Sequence, residues 1–87
     1  MATDQTAEQM RNLVAGIAHA LVDQPNQVSV ESELAGGELV VRLLVAEDDL
    51  GMLIGKQGRT ARSLRTIAAA VGSRMQVRCQ LDVQARA

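Results

Sequence analysis

Two glycines three residues apart, Gly55 and Gly58, interrupt an otherwise helix-compatible stretch and limit what can surround them. The stretch reads Asp49-Leu50-Gly51-Met52-Leu53-Ile54-Gly55-Lys56-Gln57-Gly58-Arg59-Thr60-Ala61-Arg62. An apolar run, Leu50 to Ile54, leads in, and a segment of helical periodicity, Thr60 to Val71, leads out. The expected local structure is two short helices joined by a tight turn. Glycine at the turn accepts φ > 0 and has no Cβ, so another backbone can come close. Exposed N–H groups, the positive end of the second helix and Lys56 would together suit a phosphodiester. A lone Gly-x-x-Gly is more often a plain helix-connecting turn. The rest of the chain has to decide.

Eighty-seven residues suffice for one domain with a modest core. A hydrophobic fraction of 47% places the chain among globular proteins rather than disordered ones. Phe, Trp and Tyr are all absent, so Leu, Val, Ile, Met and Ala must build the core. The same absence argues against nucleic-acid folds that stack bases on aromatic rings. One cysteine, Cys79, and one histidine, His19, supply neither a disulfide framework nor a zinc cluster, so no metal or other cofactor is expected. Cys79 lies in a strand pattern as a buried structural thiol, and His19 on the less apolar side of the first helix. Met1 to Thr6 shows no signal-peptide pattern, and no window is apolar enough to span a bilayer, so a cytoplasmic protein without membrane contact is expected.

A net charge of −1 hides a strong asymmetry. Nine of the ten acids fall within residues 1–49, against two bases, Arg11 and Arg42. Residues 50–81 hold Lys56, Arg59, Arg62, Arg65, Arg74 and Arg78 and no acid. A phosphate senses this local field rather than the sum.

In chain order, candidate N-cap residues at Thr3 to Gln5 precede a helix whose stripe is Met10, Leu13, Val14, Ile17, Ala18 and Leu21. Asp23-Gln24-Pro25-Asn26 ends it. Val28 to Leu34 reads as an edge strand, with Val28, Val30 and Leu34 on one face, and Gly36-Gly37 as a hairpin turn. Leu39 to Val45, apolar except for Arg42, belongs at the centre of a sheet. Glu47-Asp48-Asp49 suits a helix start. After the Gly55–Gly58 turn, Ala61, Leu64, Ile67, Ala68 and Val71 form the inward stripe. Gly72 fits the position just past that helix. Met75 to Val83 alternates, with Met75, Val77, Cys79, Leu81 and Val83 inward, and nothing beyond Gln84 is expected to be ordered. The fold class is α+β, in the order α-β-β-α-α-β. The central and last strands are parallel, giving a three-stranded mixed sheet with three helices on one face.

This order, with Gly55-Lys56-Gln57-Gly58 between the last two helices, resembles a type II KH domain. Leu21-Val22-Asp23-Gln24-Pro25-Asn26-Gln27-Val28, Asp49-Leu50-Gly51, Ile54 to Ala61 and Leu64-Arg65-Thr66 further resemble the small bacterial single-KH-domain proteins of the KhpA (YlqC) family. The resemblance spans roughly residues 10–83 as the KH domain, with 1–9 an N-terminal extension and 84–87 a C-terminal tail. Met52 and Leu53 stand where that family suggests a basic residue followed by an aliphatic one. By this resemblance the protein is an RNA-binding protein and RNA chaperone that takes single-stranded RNA in a groove between the last two helices and the last strand. Gly55, Lys56, Gln57 and Gly58 would clamp the backbone, with Arg59, Arg62 and Arg78 on phosphates. Ile54, Leu53 and the last strand would receive bases. The resemblance also implies pairing with a larger multidomain KH protein of the KhpB (Jag, EloR) type, a homodimer, and an influence on cell elongation, cell shape and cell-wall organisation. The Ala68-Ala69-Ala70-Val71 end of the helix would permit close approach of a second copy.

Two other function classes compete. A nucleotide-hydrolysing P-loop fails on spacing, because Leu50 and Gln57 stand where that motif needs Gly and Ser or Thr. No enzyme activity is expected. A KH-fold protein–protein adaptor without RNA affinity is the alternative, using Arg59, Arg62 and Arg65 on an acidic partner. Lys56 inside the loop weighs against it.

Overall fold

In the computed structural model, which describes residues 4–86, the most apolar strand is the central one. Its sheet has the order β1-β2-β3, formed by Ser29–Ala35, Glu38–Val45 and Arg78–Ala85. β1 runs antiparallel to β2, joined through Gly36 and Gly37 at φ 59° and 78°, the two-residue hairpin their sequence suggests. β3 is parallel to β2, with Glu38 opposite Arg78 and Val45 opposite Ala85. The Arg86 N–H then donates to the Val45 carbonyl at 2.8 Å. Order therefore extends past Gln84, where the alternating pattern stops being informative.

Alternate residues of β2, Leu39, Val41, Leu43 and Val45, are wholly buried under the helices. Each such side chain contributes about 1.5–3 kcal/mol over its exposed state. Arg42 lies on the other face and meets Glu33 of β1 at 2.7 Å, which accounts for a charge in the middle of this strand. Helix α1 (Asp4–Leu21) covers the sheet with Ala7, Met10, Val14 and Ala18, at spacings of three and four residues. Leu21, expected on that stripe, is exposed where the helix ends. Thr3, one of the expected caps, lies outside the described residues. A short 3₁₀ turn, Pro25–Gln27, follows, and Arg11 of α1 donates to the Ser32 hydroxyl of β1.

The expected pair of helices is one helical run, α2 (Glu47–Arg74), within which Gly58 takes φ 68°. A left-handed residue cannot continue a right-handed helix, so the run has two arms that meet at Gly58. The order is thus α-β-β-α-α-β. The arms pack through Leu53 before the turn and Ala61, Leu64 and Ala68 after it.

The end of α2 differs from the sequence reading. Gly72 is inside the helix, and Gln76 holds the left-handed position past its end, at φ 61°. Val77 N–H donates to Gly72 O at 2.9 Å and Gln76 N–H to Ser73 O at 3.1 Å, the paired bonds of a Schellman ending. Gly72 is glycine for another reason. A Cβ there would lie 2.9 Å from Val77 O and 3.0 Å from the Cys79 Cβ. β3 consequently starts at Arg78, three residues after the expected Met75. Val77 just before it and Cys79, Leu81 and Val83 within it face inward, as the alternation indicates. Ile67 is the remaining discrepancy. It is 42% exposed rather than inward, because the buried stripe passes through Leu64, Ala68 and Gly72.

Candidate nucleic-acid interface

The first arm of α2 is fixed from behind. Asp49, 2% exposed, accepts the backbone N–H groups of Asp23 at 3.0 Å and Gln24 at 3.1 Å. Those donors follow the last turn of α1, and a carboxylate on two backbone N–H groups is a charge-assisted pair. The acids that begin α2, Glu47, Asp48 and Asp49, also sit at its positive end. The arm so anchored carries Leu53 into the core and leaves Ile54 47% exposed next to the turn. Leu53 therefore has no face to offer a base, whereas Ile54 does.

At the turn, the positions where a Cβ would stand on Gly55 and Gly58 have no atom within 4 Å from beyond their chain neighbours and the local helix backbone. The surface there is open, and φ 68° at Gly58 favours glycine. The side chains of Lys56 and Gln57 lie outside the described residues. Past the turn, positions 58, 62, 65 and 69 recur at spacings of four, three and four and share one flank of the helix. Arg62 and Arg65 thus line up with Gly58 along that flank, both exposed. Arg59 is exposed too, about 60° round from Arg62 on a helix of 3.6 residues per turn.

This flank faces β3 across a cleft. Its nearer part, about 360 Å³, is lined by Arg65, Ala69, Cys79, Gln80, Leu81 and Asp82. Its farther part, about 490 Å³, is lined by Glu38, Ala69, Ser73, Gln76, Val77, Arg78 and Cys79. The structure therefore brings Arg62 beside the glycine turn but places Arg78 at the opposite end of the cleft. Arg65, weighed in the sequence only as an adaptor residue, is a member that helical phase alone could have flagged. Cys79 lines both parts, and burial raises its thiol pKa. His19 is exposed on α1. Among the described residues no helix is long and apolar enough to cross a membrane.

The profile of the KhpA/KhpB KH-domain family matches residues 11–83. RNA-binding protein KhpA of Halalkalibacterium halodurans is 45% identical over 74 residues, 85% of this chain and 97% of that protein. RNA-binding protein KhpA of Treponema pallidum is 44% identical over 71 residues, 82% of this chain and 89% of its own. Among solved structures, a variant of Aquifex aeolicus Era bound to GDP·AlF4− aligns with 99% of this chain at TM-score 0.62 and 17% identity. Era in complex with MgGDPNP and nucleotides 1506–1542 of 16S ribosomal RNA aligns with 87% at TM-score 0.58 and 18% identity. The chain spans about a third of either Era protein, 33% and 29%, and at such identity the likeness is one of fold.

Proposed function

The chain belongs to the KhpA/KhpB family of KH domains, and on that premise we propose that it binds single-stranded RNA at the Gly55–Gly58 turn and along the α2–β3 cleft. The observation that carries this reading is the open backbone at Gly55 and Gly58, with Gly58 on the same flank as Arg62. No other part of the fold covers the backbone there against a phosphate, while the guanidinium supplies charge. Lys56 and Gln57 complete the clamp, Arg59 contacts backbone phosphate, and Ile54 offers an apolar surface to a base. Arg78 would meet the strand only at the far end of the cleft. The KH domain is read as 10–83, and the flanking segments 1–9 and 84–87 carry the start of α1 and the end of β3. The role is binding, not catalysis.

The relatives named RNA-binding protein KhpA support the RNA assignment. The finer reading is that of an RNA chaperone in the cytoplasm, acting with a KhpB/Jag-like multidomain KH partner and linked to cell elongation and cell-wall organisation. The shared family profile supports that pairing. Self-association belongs to the same reading. Ala68, expected to help at the contact, is buried in the core, whereas Ile67 and Ala70 are exposed one turn apart and offer the apolar surface instead. Sedimentation of the parent and Ile67→Glu at micromolar concentration checks it, and a parent that stays monomeric overturns it.

Filter binding of single-stranded RNA to the parent and to Gly55→Asp tests the main reading. Loss of binding in a folded variant is the expected result. Equal affinity would remove the clamp assignment, and absence of binding in the parent would leave an adaptor for acidic partners.

A further inference from the structure

Single-stranded bases are commonly held on aromatic rings or on guanidinium planes. This chain has no aromatic residue, so any platform it offers must come from arginine. Arg65 is placed for that role. It lies two turns beyond Gly58, about 10 Å along the helix axis. Its Nε donates to the Leu81 carbonyl at 3.1 Å, reaching from α2 to β3.

β3 is an edge strand, paired with β2 on one side only, so its outer carbonyls have no strand partner. Leu81 is one of these, and Arg65 takes it. The guanidinium is planar, and Nε is the nitrogen nearest its stem. Fixing Nε to the backbone across the cleft sets the plane as a wall of the nearer cleft. That cleft, about 360 Å³, also has Ala69, Cys79, Gln80, Leu81 and Asp82 in its lining. Small-ligand sites begin at about 300 Å³. An arginine serving only as a phosphate contact would point its group outward to solvent. Here Nε is turned back to the strand edge, which leaves the plane of an exposed side chain flanking the cleft.

We propose that Arg65 is the stacking platform for one nucleobase of the bound strand, standing in for the aromatic ring the chain lacks. The proposal rests on the single-stranded RNA reading above. The bond to Leu81 orients the plane, and the phosphate held at Gly55–Gly58 sets which nucleotide reaches it. Purines gain more than pyrimidines because a larger face makes more contacts.

The test uses the full chain, its Arg65→Lys variant, and adenosine-rich hexamers carrying either 2-aminopurine or an abasic site at each position in turn. Lysine keeps the charge and loses the plane. In the parent, one position should show quenched 2-aminopurine fluorescence, and an abasic site there should weaken binding about tenfold, near the lower end for base stacking. Arg65→Lys should bind the intact hexamer about tenfold more weakly with the salt dependence unchanged, and should ignore the abasic site. Circular dichroism should match the parent. Parental affinity in Arg65→Lys, or a parent indifferent to every abasic position, overturns the proposal. If Arg65→Lys fails to fold, the abasic series on the parent still decides. A parent that binds no hexamer overturns the RNA reading itself, a result distinct from binding without a stacking position.

Discussion

The carboxylate of Asp49, near the start of α2, accepts the backbone N–H of Asp23, just past α1, at 3.0 Å while almost wholly buried. With the second bond, from Gln24 at 3.1 Å, it sets where the first arm of α2 stands relative to α1. The interface turn is at the far end of that arm. Asp49→Ala should leave two N–H groups without this acceptor. The expected loss is about 2 kcal/mol, which lowers the melting temperature of a domain this size by roughly 10 °C. A thermal melt showing no change would mean that water replaces the carboxylate without cost.

Gly55→Asp and Gly58→Asp separate the two glycines. Gly55 has an ordinary helical conformation and open space, so aspartate there should cost the fold almost nothing. Gly58 is at φ 68°, which aspartate tolerates better than most residues, at a cost of about 1 kcal/mol. Both should abolish RNA binding by putting a negative charge where a phosphate approaches. Retained binding in Gly55→Asp, with a parental circular dichroism spectrum, would move the phosphate site elsewhere.

How far the chain was legible depended on whether a feature is periodic. Leu39 to Val45 revealed the central strand because it is apolar on both sides of the alternation. The turn at Gly55 and Gly58 was legible because two glycines break a helical period. In the sequence Asp49 marks only a helix start, because its partners are backbone groups 25 and 26 residues earlier and leave no sequence mark. Gly72 was ambiguous for a different reason. A glycine near a helix end serves equally well as a terminator or as a point of close packing, and the contact with Val77 and Cys79 decides for packing. The sequence offers both Leu53 and Ile54 to bases, although neighbours on a helix point about 100° apart and only one can face outward.

Gly72→Ala tests the packing role. A methyl group 2.9 Å from a backbone oxygen requires β3 to move away from α2. Despite the better helix propensity of alanine, the variant should lose about 1–3 kcal/mol, as overpacked cores do. Chemical denaturation reads this directly, and a stabilised variant would show that the strand yields freely.

Cys79 reports on the cleft without mutation. Burial pushes its thiol pKa up, so less thiolate is present at neutral pH and iodoacetamide should react more slowly than with a free cysteine. A group whose pKa is higher when folded stabilises the fold below its unfolded value, roughly 8.5, and that contribution fades as pH rises through the folded value. Because Cys79 lines both parts of the cleft, saturating RNA should slow alkylation further. Alkylation at one rate with and without bound RNA would place the strand outside the cleft.

Salt dependence measures how many cations meet the strand. Lys56, Arg59 and Arg62 lie in or just after the turn, so about three phosphates should be neutralised. At roughly −0.7 per phosphate on single strands, log K should fall with log salt at a slope of about −2. Lys56→Ala should flatten that slope by about 0.7 and weaken all sequences alike, as backbone contacts do. Arg78 is different, because it lines the far end of the cleft and lies on the sheet face turned from the helices. Arg78→Ala should therefore leave a tetranucleotide unaffected and flatten the slope only for strands long enough to run the cleft. Titrations with four and eight nucleotides, at several salt concentrations, compare the two variants. A tetranucleotide equally sensitive to both would show that the strand begins nearer β3 than the glycine turn implies. A slope of zero for every length would show that the basic segment does not bind phosphate.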